Sequence, residues 1–313
     1  MNVVVDLIEA FRRSKTMFAA VELGVFEGNR EGKEIDRLLE ACGALGLLES
    51  RSGQWVNTAV ANEYLRKDSP GTLTGYIEYS NMALYSMWGH LEDAVRDGGH
   101  RWHQTFGFEG GIFSSFFKTD EARERFLKGM HGFGQLSSPP VIRAFDLSGF
   151  QRLVDLGGAS GHLAMAALEV NPSMRAAVFD LPPAIEFARK FVAGTRVELI
   201  AGDFFVDPLP KADLFALGRI LHDWSEEKIQ RLLGRIHQAL PSGGGLLVAE
   251  KLLGPSNVSA HMQSLNMLVC TEGRERSLDQ YRQLLEAAGF SDVQGVVTGA
   301  PLDAVLARKP HQT

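Results

Sequence analysis

The stretch "RLVDLGGASGH", Arg152–His162, decides the fold. A short β-rich run reaches an acid, Asp155, and meets Gly157, Gly158 and Gly161 before a helical pattern, "HLAMAALEV", begins. Glycines at a strand-to-helix turn let a ligand approach the backbone beside a helix N-terminus. The spacing is not the dinucleotide fingerprint G-x-G-x-x-G, because the third position counted from Gly157 is Ala159. The acid adds a sign: a carboxylate at this strand end repels a pyrophosphate and attracts a cationic ligand. Taken alone, the loop reads equally well as a bare turn.

Downstream, β-rich and helical runs alternate: "RAAVFD", "PAIEFARKFV", "VELIAGD", "DLFALGRIL", "EEKIQRLLGRIHQAL", "GGLLVAEKLL". That alternation predicts βαβ units on a parallel sheet. "VQGVVTG" and "LDAVLARK" follow each other too closely for a crossover helix, so an antiparallel pair is expected at the end. Upstream, residues 1 to about 150 read as helical throughout. Breaks are expected at Gly24, at Gly43 and Gly46, and at "SSPP", Ser137–Pro140. "SGQWVNTAVANEYL" predicts a short turn or wing before another helix. A chain of 313 residues exceeds the usual single core, so two units are expected.

Two more acids stand at strand ends. Asp180, in "VFDLP", lies where open α/β sheets put a ribose-binding carboxylate. Asp203 and Phe204, in "AGDFF", suit an exocyclic amine and an adenine face. Each acid reads equally well as a helix cap or surface carboxylate. Three at successive strand ends suit a nucleoside that carries positive charge and no phosphate.

With "VDLGGASG", "VFDLP", "AGDFFVDPLP", "RILHDW", "SLNMLVCTEGRERS" and "LLEAAGF" in this order, the chain resembles the class I S-adenosylmethionine (SAM) dependent small-molecule O-methyltransferases. Among them it is most similar to the acetylserotonin O-methyltransferase branch of the caffeate-type family. "ELGVF" and "WGHLEDAVRDG" extend the likeness over nearly the whole chain. The resemblance implies an α/β, Rossmann-like methyltransferase domain over residues 91–313, with connecting helices over 91–150 and the core over 151–313. Its sheet would be mostly parallel and seven-stranded, with a terminal antiparallel hairpin. It implies an N-terminal helical, truncated winged-helix-like dimerisation domain over 1–90, and hence a homodimer.

The resemblance further implies SAM contacts at Asp155, Gly157, Gly158, Gly161, Asp180, Leu181, Gly202, Asp203, Phe204 and Arg219. S-adenosylhomocysteine would be the product, and no metal is implied. His222 would be the catalytic base with Glu250 and Glu275 around it, and Asp223, Asn266 and Met267 would meet the acceptor. Two departures stand out. "EGNREGK" is nearly all that remains of a longer winged-helix segment, and Gly134 replaces a bulky aromatic near the cofactor.

"RILHDW", Arg219–Trp224, fits the chemistry. A phenol has a pKa of about 10 and is mostly protonated at neutral pH. A neutral imidazole takes that proton as attack begins, a contribution of roughly 10²- to 10⁴-fold. A carboxylate behind the ring fixes its tautomer. Glu250 ends the strand "LLVAE" and Glu275 follows in "GRERS", and either is suited to orient the ring. The plainer reading is a helix start, with Asp223 or Ser225 as cap. The remaining histidines, among them His90, His100, His103 and His131, read as surface or packing residues.

Composition narrows the partners. Net charge is −6, and no basic block points to nucleic acid. Cys42 and Cys270 are isolated, which suits a reducing, cytoplasmic setting and supplies no metal cluster. "MNVVVDLIEAFRRSK" carries Asp6 and Glu9 early and reads as an amphipathic helix, not a signal peptide. No apolar run is long enough to span a bilayer. The expectation is therefore an enzyme that methylates the hydroxyl of a small phenolic or indolic acceptor. The rivals are a different SAM-supported reaction, such as a decarboxylation or pericyclic step, and a non-catalytic dimeric scaffold.

Overall fold

The computed structural model describes residues 2–108 and 120–311; segment 109–119 of the expected connecting stretch lies outside them. The chain divides into two compact units, Met1–Ser86 and Met87–Thr313.

The first unit holds helices α1 (Val3–Glu22), α2 (Ile35–Ala44), α3 (Ala59–Tyr64) and α4 (Thr74–Tyr79), with strands β1 (Leu48–Arg51) and β2 (Gln54–Asn57). Asn2 caps α1 by accepting the Val4 N–H at 2.8 Å. The helix breaks at Gly24, whose φ of 69° only glycine adopts freely. Ala20, Phe26, Leu39, Cys42, Leu48 and Ile77 are buried in one core. One expectation needs correction. Residues 1–150 are not helical throughout, because β1 and β2 form an antiparallel wing. Ser52 and Gly53, both at positive φ, make its tight turn. Gly43 and Gly46 flank the end of α2 at Ala44, as expected. Gly43 lies in the last turn, where a Cβ would stand 2.6 Å from Trp55 Cζ3.

The second unit is entered through the one-turn helix α5 (Tyr85–Trp88), followed by α6 (Leu91–Asp97), α7 (Trp102–Phe106) and the long α8 (Asp120–Arg143). Helix α8 runs through Ser137–Pro140, where a break was expected. Each internal proline costs a helix about 3 kcal/mol. Buried Leu127, Val141 and Ile142 oppose that cost at roughly 1.5–3 kcal/mol each. Ser137 also donates its hydroxyl to the Phe133 carbonyl at 2.8 Å.

Then come β3 (Arg152–Leu156), α9 (His162–Val170), β4 (Arg175–Asp180), α10 (Pro182–Val192), β5 (Glu198–Ala201), β6 (Leu214–Gly218), α11 (Glu226–Ala239), β7 (Gly245–Glu250), α12 (Val258–Cys270), α13 (Leu278–Ala287), β8 (Ser291–Val296) and β9 (Asp303–Arg308). The sheet order is β5-β4-β3-β6-β7-β9-β8. The first five of these strands are parallel, and β9 runs antiparallel to both neighbours. Alternate strand residues feed two cores. Leu153, Val178 and Leu247 pack with α8 and α9. Val154, Ala177 and Val248 pack with α11 and α13. Burial on both faces explains why these strands read as continuous apolar runs. Among the described residues, no helix is long and apolar enough to cross a membrane.

Candidate active site

The carboxyl ends of β3, β4, β5, β6 and β7 lie along one edge of the sheet, where open α/β sheets hold ligands. After β3, the chain turns through Gly157 at φ 71°. A Cβ on Gly157 would crowd Ile220 Cδ1 at 2.5 Å, and one on Gly158 would overlap the Asp155 carboxylate. Asp155 is buried beneath the loop, and its Oδ2 has no hydrogen-bond partner. Burial, with the neighbouring Asp180 charge, pushes its pKa up to about 8. Gly161 stands at the N-cap of α9.

Asp180 ends β4. Its two oxygens accept the N–H groups of Ala159, at 2.9 Å, and Leu181, at 2.7 Å. Burial raises its pKa to about 6 against the pull of those two donors. Leu181 is exposed at the start of α10. After β5, Gly202 donates to the Asp180 carbonyl at 2.9 Å. Asp203 Oδ1 accepts the Phe205 N–H at 2.7 Å, so this acid also shapes its own turn. Phe204 is half-buried and leans toward Gly157.

Past β6, Arg219 sits at φ 58°, a left-handed conformation that is costly for arginine. Its guanidinium lies 4.9 Å from the Phe133 ring centre, and its Nε has no hydrogen-bond partner. The turn Leu221–Asp223 then delivers His222, which is buried. Its Nδ1 meets Glu275 Oε1 at 2.6 Å, and its Nε2 lies 3.7 Å from Asp223 Oδ1. Burial alone would lower the His222 pKa. The carboxylates of Glu275, Asp223 and Glu250 outweigh it and raise the value to about 9. Burial likewise raises Asp223 to about 7, against the pull of His222.

The two glutamates divide the work that either was suited to do. Glu275 holds the ring. Glu250, at the end of β7, accepts the backbone N–H groups of Ile220 at 3.2 Å and His222 at 3.1 Å. The Tyr281 hydroxyl donates to the other Glu250 oxygen. One ligand atom each from His222, Glu250 and Glu275 lies within 4.8 Å of the others. That proximity joins residues distant in sequence, and the hydrogen bonds just described account for it. The helix start takes one of the two expected caps. Ser225 occupies the N-cap of α11 without a side-chain capping bond, and Asp223 stays in the turn beside His222.

Helix α12 carries the expected acceptor residues Asn266 and Met267. Trp88 Nε1 donates to Asn266 Oδ1 at 2.9 Å, which fixes the orientation of that amide. Met267 is buried, and the Cys270 thiol donates to the Asn266 carbonyl at 2.8 Å. Trp102, in the segment "GHRWHQTFG", is fully buried and donates to the Cys270 carbonyl at 2.8 Å, so it supports α12.

Four side chains at this edge escaped the sequence reading. Tyr281 and Trp88 carried no local signal beyond apolar periodicity. His131 packs against Phe191, within the surface-or-packing reading, but its Nδ1 also meets Ser160 of the glycine loop at 2.8 Å. His162, the last letter of the deciding stretch, meets Ser138 at 2.7 Å. A histidine directly after a glycine loop was the available clue.

Comparison with known proteins places this architecture. Residues 88–291 match the O-methyltransferase domain family. The chain is 40% identical to acetylserotonin O-methyltransferase of Bos taurus over 332 residues, covering 97% of this chain and 96% of that protein. It is also 40% identical over 331 residues to the human probable bifunctional dTTP/UTP pyrophosphatase/methyltransferase protein, covering 98% of this chain and 53%, about half, of that longer one. The solved structure of human N-acetylserotonin methyltransferase in complex with SAM superposes with a TM-score of 0.92 at 36% identity, covering 98% of this chain and 97% of that one.

Proposed function

The chain belongs to the SAM-dependent O-methyltransferase family, and from that premise we propose that it methylates the hydroxyl of a small phenolic or indolic acceptor with His222 as general base. The buried His222–Glu275 bond, set beside the glycine loop and the strand-end acids, carries this reading.

The residues present fit the cofactor. An unpartnered carboxylate oxygen on Asp155 suits a cationic ligand, and the glycines pack the loop closely over it. Asp180 would hold the ribose diol, with Leu181 and Gly202 beside it. Asp203 would take the exocyclic amine, and Phe204 would cover the adenine. Gly157, Gly158, Gly161 and Arg219 would face the methionine end. SAM, when bound, supplies a methyl group already activated on a sulfonium.

The protein's own part is the nucleophile. Nδ1–H of His222 donates to Glu275, which leaves the Nε2 lone pair to receive the acceptor's proton. In the free protein the carboxylates favour the imidazolium. A sulfonium charge nearby opposes them and favours the neutral base. Glu250 fixes the turn that carries the ring. Asp223, Asn266 and Met267 would orient the acceptor. No metal is needed in this scheme, because the leaving group is already cationic.

The chain would work as a homodimer. Val4, Leu7, Ile8 and Phe11 of α1 are more than half exposed, and a second copy would cover that apolar stripe.

Labelled SAM with a panel of phenols and indoles tests the reading. Wild-type protein is expected to label a hydroxyl, and His222→Ala to bind SAM with little turnover. Equal turnover in both would end the assignment of the base.

A further inference from the structure

Gly134 and His162 compete for one volume. Gly134 lies on α8, and His162 opens α9 directly after the glycine loop. A Cβ built on Gly134 overlaps the His162 ring. The half-buried ring is tied to Ser138 of α8 through Nδ1 at 2.7 Å. A second pair runs in the opposite sense, from His131 of α8 to Ser160 of the loop at 2.8 Å. The two serine–imidazole contacts tie α8 to the C-terminal end of the loop, where α9 begins. Burial lowers the pKa of His131 to about 4. Burial, then the charges of His131 and Arg219, lowers that of His162 to about 3. Both rings are therefore neutral at physiological pH.

His162 also lines a small cavity of about 10 Å³ with Gly134, Gly218 and Arg219, at the carboxyl end of β6. The ring thus shares a cavity wall with Arg219, whose Nε has no hydrogen-bond partner. We propose that His162 is a positioning residue for the methionine end of SAM, its ring filling the volume that a large side chain at position 134 would otherwise occupy. The proposal rests on the cofactor placement above. A neutral ring is required there by elementary electrostatics: a cationic one would repel the sulfonium, while the face of an uncharged aromatic ring tolerates it.

Steady-state kinetics of the full chain test this with five variants. His162→Ala is expected to raise KM for SAM about tenfold with kcat within about threefold of wild type, the pattern of a lost binding contact. Gly134→Trp is expected to do worse, because two rings then claim one space. The double variant Gly134→Trp/His162→Ala is expected to bring KM back to within about threefold of wild type, a coupling that independent losses do not give. Ser138→Ala keeps the volume but frees the ring. It is expected to raise KM for SAM about threefold at an unchanged melting temperature, which separates positioning from folding. An unchanged KM in His162→Ala, or a double variant that only combines the two losses, overturns the proposal. Asp180→Ala tells the two failures apart. If it also leaves KM unchanged, the cofactor placement is wrong. If it raises KM while His162→Ala does not, only the role of His162 falls.

Discussion

His222 is held between burial, which disfavours its cation, and three carboxylates, which prevail. His222→Ala should keep SAM affinity and lose roughly 10²-fold or more in turnover, and the loss should shrink as pH nears the phenol's own pKa. At saturating SAM the acceptor's kcat/KM should climb with pH along a limb below the free protein's value of about 9, because the sulfonium favours the neutral base. Glu275→Gln should move that rising limb to lower pH, because it removes the carboxylate that favours the imidazolium. A limb that stays in place would assign the titration to another group. The sign carries over to stability. Folding raises the His222 pKa from 6.5 to about 9, so its contribution is full below 6.5 and is lost as pH rises through 9. Asp155 behaves alike between 3.8 and about 8, since its buried form is the neutral one. A cationic ligand above Asp155 favours the carboxylate, so SAM should bind more tightly as pH rises from 6 to 8, releasing a proton. Calorimetry in two buffers of different ionisation heat reads that proton directly, and its absence would detach Asp155 from the cofactor. Asp180→Ala should weaken SAM binding at least about tenfold, the equivalent of ~1.4 kcal/mol. At this scale the strand-end acids and the imidazole were legible, because chemistry sits in the letters themselves. The division of labour between Glu250 and Glu275 was not, because it depends on backbone N–H groups that any residue carries.

Single elements show where local rules lose. "SSPP" reads as a stop by its own propensities, yet α8 continues because Val141 and Ile142 just beyond it are buried in the core against the sheet. "SGQWVN" needed the wing reading, since two residues at positive φ make its turn. Alternation of strands and helices was legible because burial on both faces imposes it on every strand. Glycines mark close approaches that periodicity cannot reveal. Gly273, on the loop after α12, has no room for a side chain, because a Cβ there overlaps the His222 carbonyl. That carbonyl is backbone and yields little. Gly273→Ala should therefore displace the base and cost about 10²-fold in turnover while SAM affinity stays, since misplacement near 1 Å has effects of that order. Wild-type turnover in this variant would mean that the loop gives way freely. Gly43→Ala on α2 presses on Trp55 instead, and should cost the first unit about 1–3 kcal/mol in denaturant unfolding with no change in SAM binding.

At the scale of the molecule, α1 turns an apolar stripe outward. Light scattering at micromolar concentration should give a dimer, and Leu7→Lys/Phe11→Lys should give monomers; a monomeric wild type would leave the stripe without its proposed partner. The sheet carries a different consequence, one of timing. β9 slots between β7 and β8, though it is made after both. A growing chain therefore exhibits β8 with no partner and β7 with one flank bare until Asp303–Arg308 arrives. β7 is buried along its full length in the finished fold, and its "GLLVAE" edge is the kind of surface that recruits strands from other molecules. Ribosomal stalling or a premature stop ahead of Asp303 would thus release not a weakened enzyme but an aggregation seed, which protein quality control would have to clear.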